Sequence, residues 1–154
     1  MTKASEELSA TLEREHREID NGIERFATEP TADSLIRAIA ALRRHIYLEE
    51  EFVFPALSEG GMVAPIFVML REHGQIWQKL DELEHDVTIG DGATGVLQKC
   101  HQLLVQLQHH NMKEERILYP AADRVLPPEA AVRLTEFLAS GVLPEGWVCV
   151  KARP

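Results

Sequence analysis

The chain repeats itself. Residues 45–57 read HIYLEEEFVFPAL and residues 110–122 read HNMKEERILYPAA. Both copies hold His, three residues, two Glu, an apolar or aromatic pair, then Pro-Ala. A second phrase precedes each copy: Arg14-Glu15-His16 with Ile19, and Arg71-Glu72-His73 with Ile76. Each half therefore runs REHxxI, a gap, then HxxxEE with a proline beyond. The second gap is longer by eight positions, and the extra length falls around Gly90-Asp91-Gly92-Ala93-Thr94-Gly95, where insertion into a loop costs little. Two copies of one unit are expected to pack about an approximate two-fold axis.

The repeated unit is helical. Apolar residues recur at steps of three and four, and no alternating strand pattern appears before the tail. The first helix is expected from about Ser5 to Ala27, the second from about Ala32 to Leu57, the third from about Ala64 to Asp86 and the fourth from about Thr94 to Arg124. Thr31 or Asp33 can cap the second. Pro127 and Pro128 open a short fifth helix to about Ala139, since proline suits a first helical turn. The tail GVLPEGWVCVKARP reads as irregular or extended; it covers one end of the helices or serves a protein partner. The expected fold is all-α: an up-down-up-down four-helix bundle over about residues 5–125, with the short helix and tail in 126–154.

The 154 residues suit one domain with one core. No apolar run approaches the ~20 residues of a membrane span. The opening MTKASEELSATLEREHREID is polar and acidic, unlike a signal or transit peptide. Sixteen Lys and Arg stand against 25 Asp and Glu, for a net charge of -9, without a basic cluster. That argues against a nucleic-acid partner. Cys100 and Cys149 make no disulfide framework, which suits a reducing cytoplasm.

The core seams locate the chemistry. They read Leu12, His16, Ile19, Ile23, Phe26 on the first helix and Leu35, Ala38, Leu42, His45, Glu49, Phe52, Ala56 on the second. The third gives Ile66, Met69, His73, Ile76, Leu80, Leu83, and the fourth Leu103, Leu107, His110, Glu114, Ile117, Ala121. Every seam is apolar except at one level, where four histidines and two glutamates meet. His45 and Glu49 lie one turn apart on the inward face, as do His110 and Glu114. A buried carboxylate without a partner costs several kcal/mol, so something must neutralise Glu49 and Glu114. Protonated histidines can do so; a pair of metal ions does it better.

Mixed imidazole and carboxylate donors disfavour magnesium and calcium and suit iron, manganese or zinc. Six side chains exceed the four of a structural zinc site. With each carboxylate able to bridge, they suit a dinuclear centre with open positions for a small ligand. His85 and His101 fall off the seams, and Glu50, Glu51 and Glu115 are expected in solvent, with Glu50 alternatively pairing with a histidine N–H. Pro55 and Pro120 each free a carbonyl one turn back, just beyond the metal level. Cys100, Cys149, Met69 and Trp77 read as core residues.

These residues resemble the hemerythrin-like family, the HHE cation-binding domains. The pattern is His16, then His45 with Glu49, then His73, then His110 with Glu114, and it covers about residues 8–125. The resemblance implies a non-heme centre of two carboxylate-bridged iron ions that binds or senses dioxygen, nitric oxide or iron, often in oxidative or nitrosative stress. The animal oxygen carriers carry HxxxH on the third helix, where this chain has His73 and Trp77, and HxxxxD on the fourth, whose spacing His109 and Glu114 share; the seam favours His110, with His109 the alternative ligand or a supporting donor. The missing histidine leaves a coordination position for another ligand and favours sensing, iron handling or redox chemistry over oxygen storage. Turnover of peroxide or nitric oxide, and a metal-stiffened interaction module, are the competing readings.

Overall fold

A computed structural model of the chain describes residues 7–90 and 92–154. Among them the regular structure is helical throughout. The elements run α1 (Leu8–Glu24), α2 (Ala32–Leu48), α3 (Phe54–Glu59), α4 (Val63–Thr88), α5 (Ala93–Lys113), α6 (Tyr119–Val125) and α7 (Pro128–Ser140). The expected start of the first helix at Ser5 lies outside the described residues. A 3-10 turn over Arg25–Ala27 finishes the first helical run, and Thr31 caps α2 by accepting from the Ser34 N–H. The helices pack α1 on α2, α2 on α4, α4 on α5 and α5 on α1, closing a ring. No helix among the described residues is long and apolar enough to cross a membrane.

The second and fourth helical runs differ from expectation at one place each. They were expected unbroken to Leu57 and Arg124, but π turns interrupt them at Glu49–Val53 and Glu114–Leu118. The Phe54 N–H reaches back to Glu49 O, and the Tyr119 N–H to Glu114 O. The cause is the repeated proline: Pro55 and Pro120 have no N–H to give the carbonyl four residues earlier, and the helix widens around the gap. The wider turn advances the inward face by one residue. Phe52, Ala56 and Ile117 thus leave the expected seam, and Ile117 is 53% exposed. Val53, Leu57 and Leu118 are buried in their place.

The apolar core is split in two. One cluster holds Ile19, Leu42, Ile46, Ile76, Leu80 and Leu103 among others. The other gathers Leu12, Leu48, Val53, Leu57, Met69 and Leu118. The expected polar level lies between them.

The tail does not cap an end. Residues 147–152 run along the flank of α2 and α4, and Cys149 is wholly buried there. Burial pushes the Cys149 thiol up to about 12 and Cys100 up to about 11, which keeps both protonated and unreactive.

Candidate metal centre

All six residues marked by the sequence come together in the interior. His16, His45, Glu49, His73, His110 and Glu114 are each no more than 3% exposed. Their donor atoms form two groups, His16, His45, Glu49 and Glu114, and Glu49, His73, His110 and Glu114; within each group the atoms lie within 4.8 Å of one another. The first takes both histidines of the first half, the second both of the second half, and the two share both carboxylates. Glu49 turns Oε2 to His45 Nε2 (3.6 Å) and Oε1 to His73 Nε2 (3.2 Å). Glu114 turns Oε1 to His16 Nε2 (3.2 Å) and Oε2 to His110 Nε2 (3.3 Å). Each carboxylate therefore offers one oxygen to each pair of imidazoles, as a bridge between two cations requires.

Every imidazole is oriented by a further glutamate. Glu15 lies 2.9 Å from His45 Nδ1 and Glu72 lies 2.9 Å from His110 Nδ1. Glu50 lies 2.7 Å from His73 Nδ1 and Glu115 lies 2.7 Å from His16 Nδ1. An ionised carboxylate only accepts, so each Nδ1 carries the proton and each Nε2 faces the pocket. This accounts for the rest of the repeated phrase. The Glu of each REH supports the histidine of the next helix, and the second Glu of each HxxxEE supports the lone histidine of the other half. Glu50 thus takes the alternative expected for it, pairing with a histidine N–H, and Glu115 does the same in place of the solvated position expected; Glu51 is exposed, and accepts from Trp147 Nε1 at 3.2 Å. His109, His101 and His85 face solvent, while Trp77 and Met69 are buried.

Six carboxylates around four imidazoles make the pocket strongly negative. Arg44 beside Glu15 and Lys113 beside Glu72 offset part of that charge. The pull on positive charge is plain in the imidazoles. Burial alone depresses His45, yet Glu49 and Glu15 carry it up to about 10; against the same burial, Glu114 and Glu72 carry His110 to about 10. The His110 bond in turn draws Glu72 down to about 2, against burial and with help from Lys113. A metal cation competes with the Nε2 protons for the same lone pairs. The donors also fit a metal on a separate ground: Glu49 Oε1, Glu114 Oε2 and His73 Nε2 are buried without a hydrogen-bond partner, an arrangement natural proteins rarely leave uncompensated.

Sequence reasoning missed Tyr119. Its hydroxyl lies 2.7 Å from Glu49 Oε2, to which it donates, 2.9 Å from His16 Nε2 and 3.1 Å from His45 Nε2. Burial first, then Glu114 and Glu49, hold this phenol well above its usual range. The repeat held the signal: Tyr119 stands where the first half has Phe54, and each ring stacks on a histidine, Tyr119 on His16 and Phe54 on His73. Asn111 was missed too. It lines both a cleft of about 350 Å³ beside His16 and a cavity of about 10 Å³ walled by Leu42, Ile46, Ile76 and Leu107 over the donor atoms. That cavity has room for about one water-sized molecule.

The family model of the hemerythrin HHE cation binding domain matches residues 4–122. Iron-sulfur cluster repair proteins YtfE of Yersinia pestis and Yersinia pseudotuberculosis are 33% identical to the chain over 103 residues. The match covers 60% of this chain and 47% of each relative, so the chain spans about half their length. No solved structure gives a significant match. With its six donors gathered between two halves of one repeat, the chain belongs to the hemerythrin HHE cation-binding domain family.

Proposed function

We propose that the chain is a di-iron protein that binds or senses a small ligand, dioxygen or nitric oxide, in oxidative or nitrosative stress or iron handling. The observation that carries this reading is the pair of overlapping donor groups sharing Glu49 and Glu114. His16 and His45 would hold one ion, His73 and His110 the other, with the two glutamates between. Nitrogen and oxygen donors together favour iron, although manganese and zinc accept the same set. Ferrous iron, when bound there, would supply the electrons that a diatomic ligand draws on. The residues around the donors supply the rest. Leu42, Ile46, Ile76 and Leu107 give the small cavity an apolar wall facing the donor atoms. Asn111 stands in the wall of both that cavity and the outer cleft, where its amide can meet a polar ligand. The hydroxyl of Tyr119 donates to Glu49 Oε2.

The names of the Yersinia relatives support a place in stress response or iron supply. The ring of helices supports an up-down-up-down four-helix bundle with one domain over the whole chain. Two free thiols support a cytoplasmic location. A second reading, turnover of peroxide or nitric oxide, is favoured by Tyr119, whose proton is within reach of the donors.

The test is the metal content of protein purified without chelator from an iron-rich culture, followed by titration of the reduced protein with nitric oxide under an optical beam. Two irons per chain and a saturable spectral change are expected. Zinc, or no metal, would overturn the reading. Sustained consumption of peroxide over many turnovers would move it to the enzyme.

A further inference from the structure

The repeat makes two faces of the molecule comparable. His16, Arg17 and Asp20 on α1 correspond to His73, Gly74 and Trp77 on α4, while Asn111 and Glu115 correspond to Ile46 and Glu50. The first set lines the open cleft. The second set is covered by residues 147–152, a strap beyond the residues the family model matches.

The strap is seated by specific contacts. The Val150 N–H donates to Glu50 Oε1 at 3.0 Å, and Glu50 Oε2 holds His73 Nδ1. The strap also crosses Gly74 closely: a Cβ there would stand 2.9 Å from the Lys151 Cβ and 3.1 Å from its carbonyl oxygen. Trp147 packs edge-on against both Tyr47 and Trp77. The result shows in exposure. The Glu50 side chain is 2% exposed and that of Glu115, its counterpart, 35%.

We propose that the strap closes one of two pseudo-equivalent doorways to the centre and holds Glu50 against His73, so that metal and small ligands exchange through the cleft beside His16. This rests on the two-metal reading above. Val150 and Gly74 are positioning residues in this scheme. Val150 fixes the carboxylate that orients His73, and Gly74 lets the strap lie close enough to do so. Removing the Val150 donor frees Glu50 to rotate, and the His73 ring loses its fixed tautomer and direction. The ion held by His73 and His110 is then no longer sheltered.

The test is iron release from the loaded full chain into an excess of a ferrous chelator. Val150→Pro removes the N–H with little else: Cys149 before it sits at φ -61, ψ 152, the extended conformation proline demands of its predecessor, and Val150 opens its 3-10 turn. Gly74→Ala pushes the strap away from the other side, and Val150→Ala keeps the donor as a control. The wild type and Val150→Ala should release one iron quickly and one slowly. Val150→Pro and Gly74→Ala should each speed the slow phase at least tenfold and leave the fast phase alone. A slow phase unchanged in both variants, or a single phase in the wild type, would overturn the proposal. A wild type that takes up no iron would instead overturn the metal reading beneath it.

Discussion

The flank at His16 and the flank at His73 are built from the same phrase and end differently. Each presents a buried imidazole, a supporting glutamate at 2.7 Å and a ring stacked on the histidine. At His16 that ring is a phenol with its hydroxyl among the donors; at His73 it is Phe54, which has none to offer. The supporting glutamate is about a third exposed at His16 and covered by the strap at His73. Asp20 stands at the mouth of the open flank where Trp77 seals the closed one. A repeat can fix which donors meet, because they lie on the seam that both halves share. It does not fix what covers them, because covering residues belong to the outer faces and to chain beyond the repeat.

The largest expected effect comes from removing what both flanks share. Glu49→Ala and Glu114→Ala should each take metal content from two ions per chain to near zero, since each carboxylate faces both imidazole pairs; elemental analysis checks this. Retention of one full ion in either variant would show that the carboxylate serves a single flank.

Next come the supporting glutamates, which set the flanks against each other. Glu50→Gln should weaken metal binding by about 10- to 100-fold, within the usual range for such partners. Glu115→Gln should cost less, because water can reach His16 in its place. Affinities from chelator competition decide, and equal losses would remove the distinction between the flanks.

The aromatic pair gives a smaller effect on folding. Tyr119→Phe leaves Glu49 Oε2 short of its donor and should lower the stability of the metal-free protein by about 1–3 kcal/mol in urea. Its counterpart Phe54→Leu changes packing on His73 without removing a hydrogen bond, so any shift in visible absorption of the iron-loaded protein should be confined to Tyr119→Phe.

The smallest effect is at Asp20. Burial raises its carboxyl from 3.8 to about 6, with His16 opposing and Glu24 and Glu115 adding to the rise, and Oδ1 has no partner. A carboxyl with a raised folded-state pKa favours the fold below its ordinary value and loses that contribution as pH climbs through about 6. At pH 7 it is therefore a burden. Asp20→Asn should stabilise by about 1 kcal/mol at pH 7, after allowance for its half-exposed position, and the gain should vanish near pH 4. Denaturation at the two pH values measures the difference, and a gain that persists at pH 4 would point to packing instead.

Much of this molecule was legible in the sequence. Helix ends fell close to expectation because caps, prolines and glycines are local signals. The meeting of the six candidate residues was legible because they shared one level of otherwise apolar seams. The π turns were half legible: Pro55 and Pro120 announced a lost hydrogen bond, but not that the helix would widen and slip its register by one residue. That slip misplaced Phe52 and Ile117 and hid Tyr119, which reaches the donors only because the turn before it is wide. Glu115 was hidden by the same logic, since its position beside Glu114 reads as a solvated face until a histidine from the other half arrives. The strap gave no periodic signal, because its place depends on Gly74 and Glu50, far away in sequence.

The Mössbauer spectrum of the fully iron-loaded protein tests the proposed centre, two irons in unlike surroundings, most directly. Two quadrupole doublets of equal area, one per ion, are the predicted result. A single doublet, whether from one ion per chain or from two equivalent ones, would contradict it.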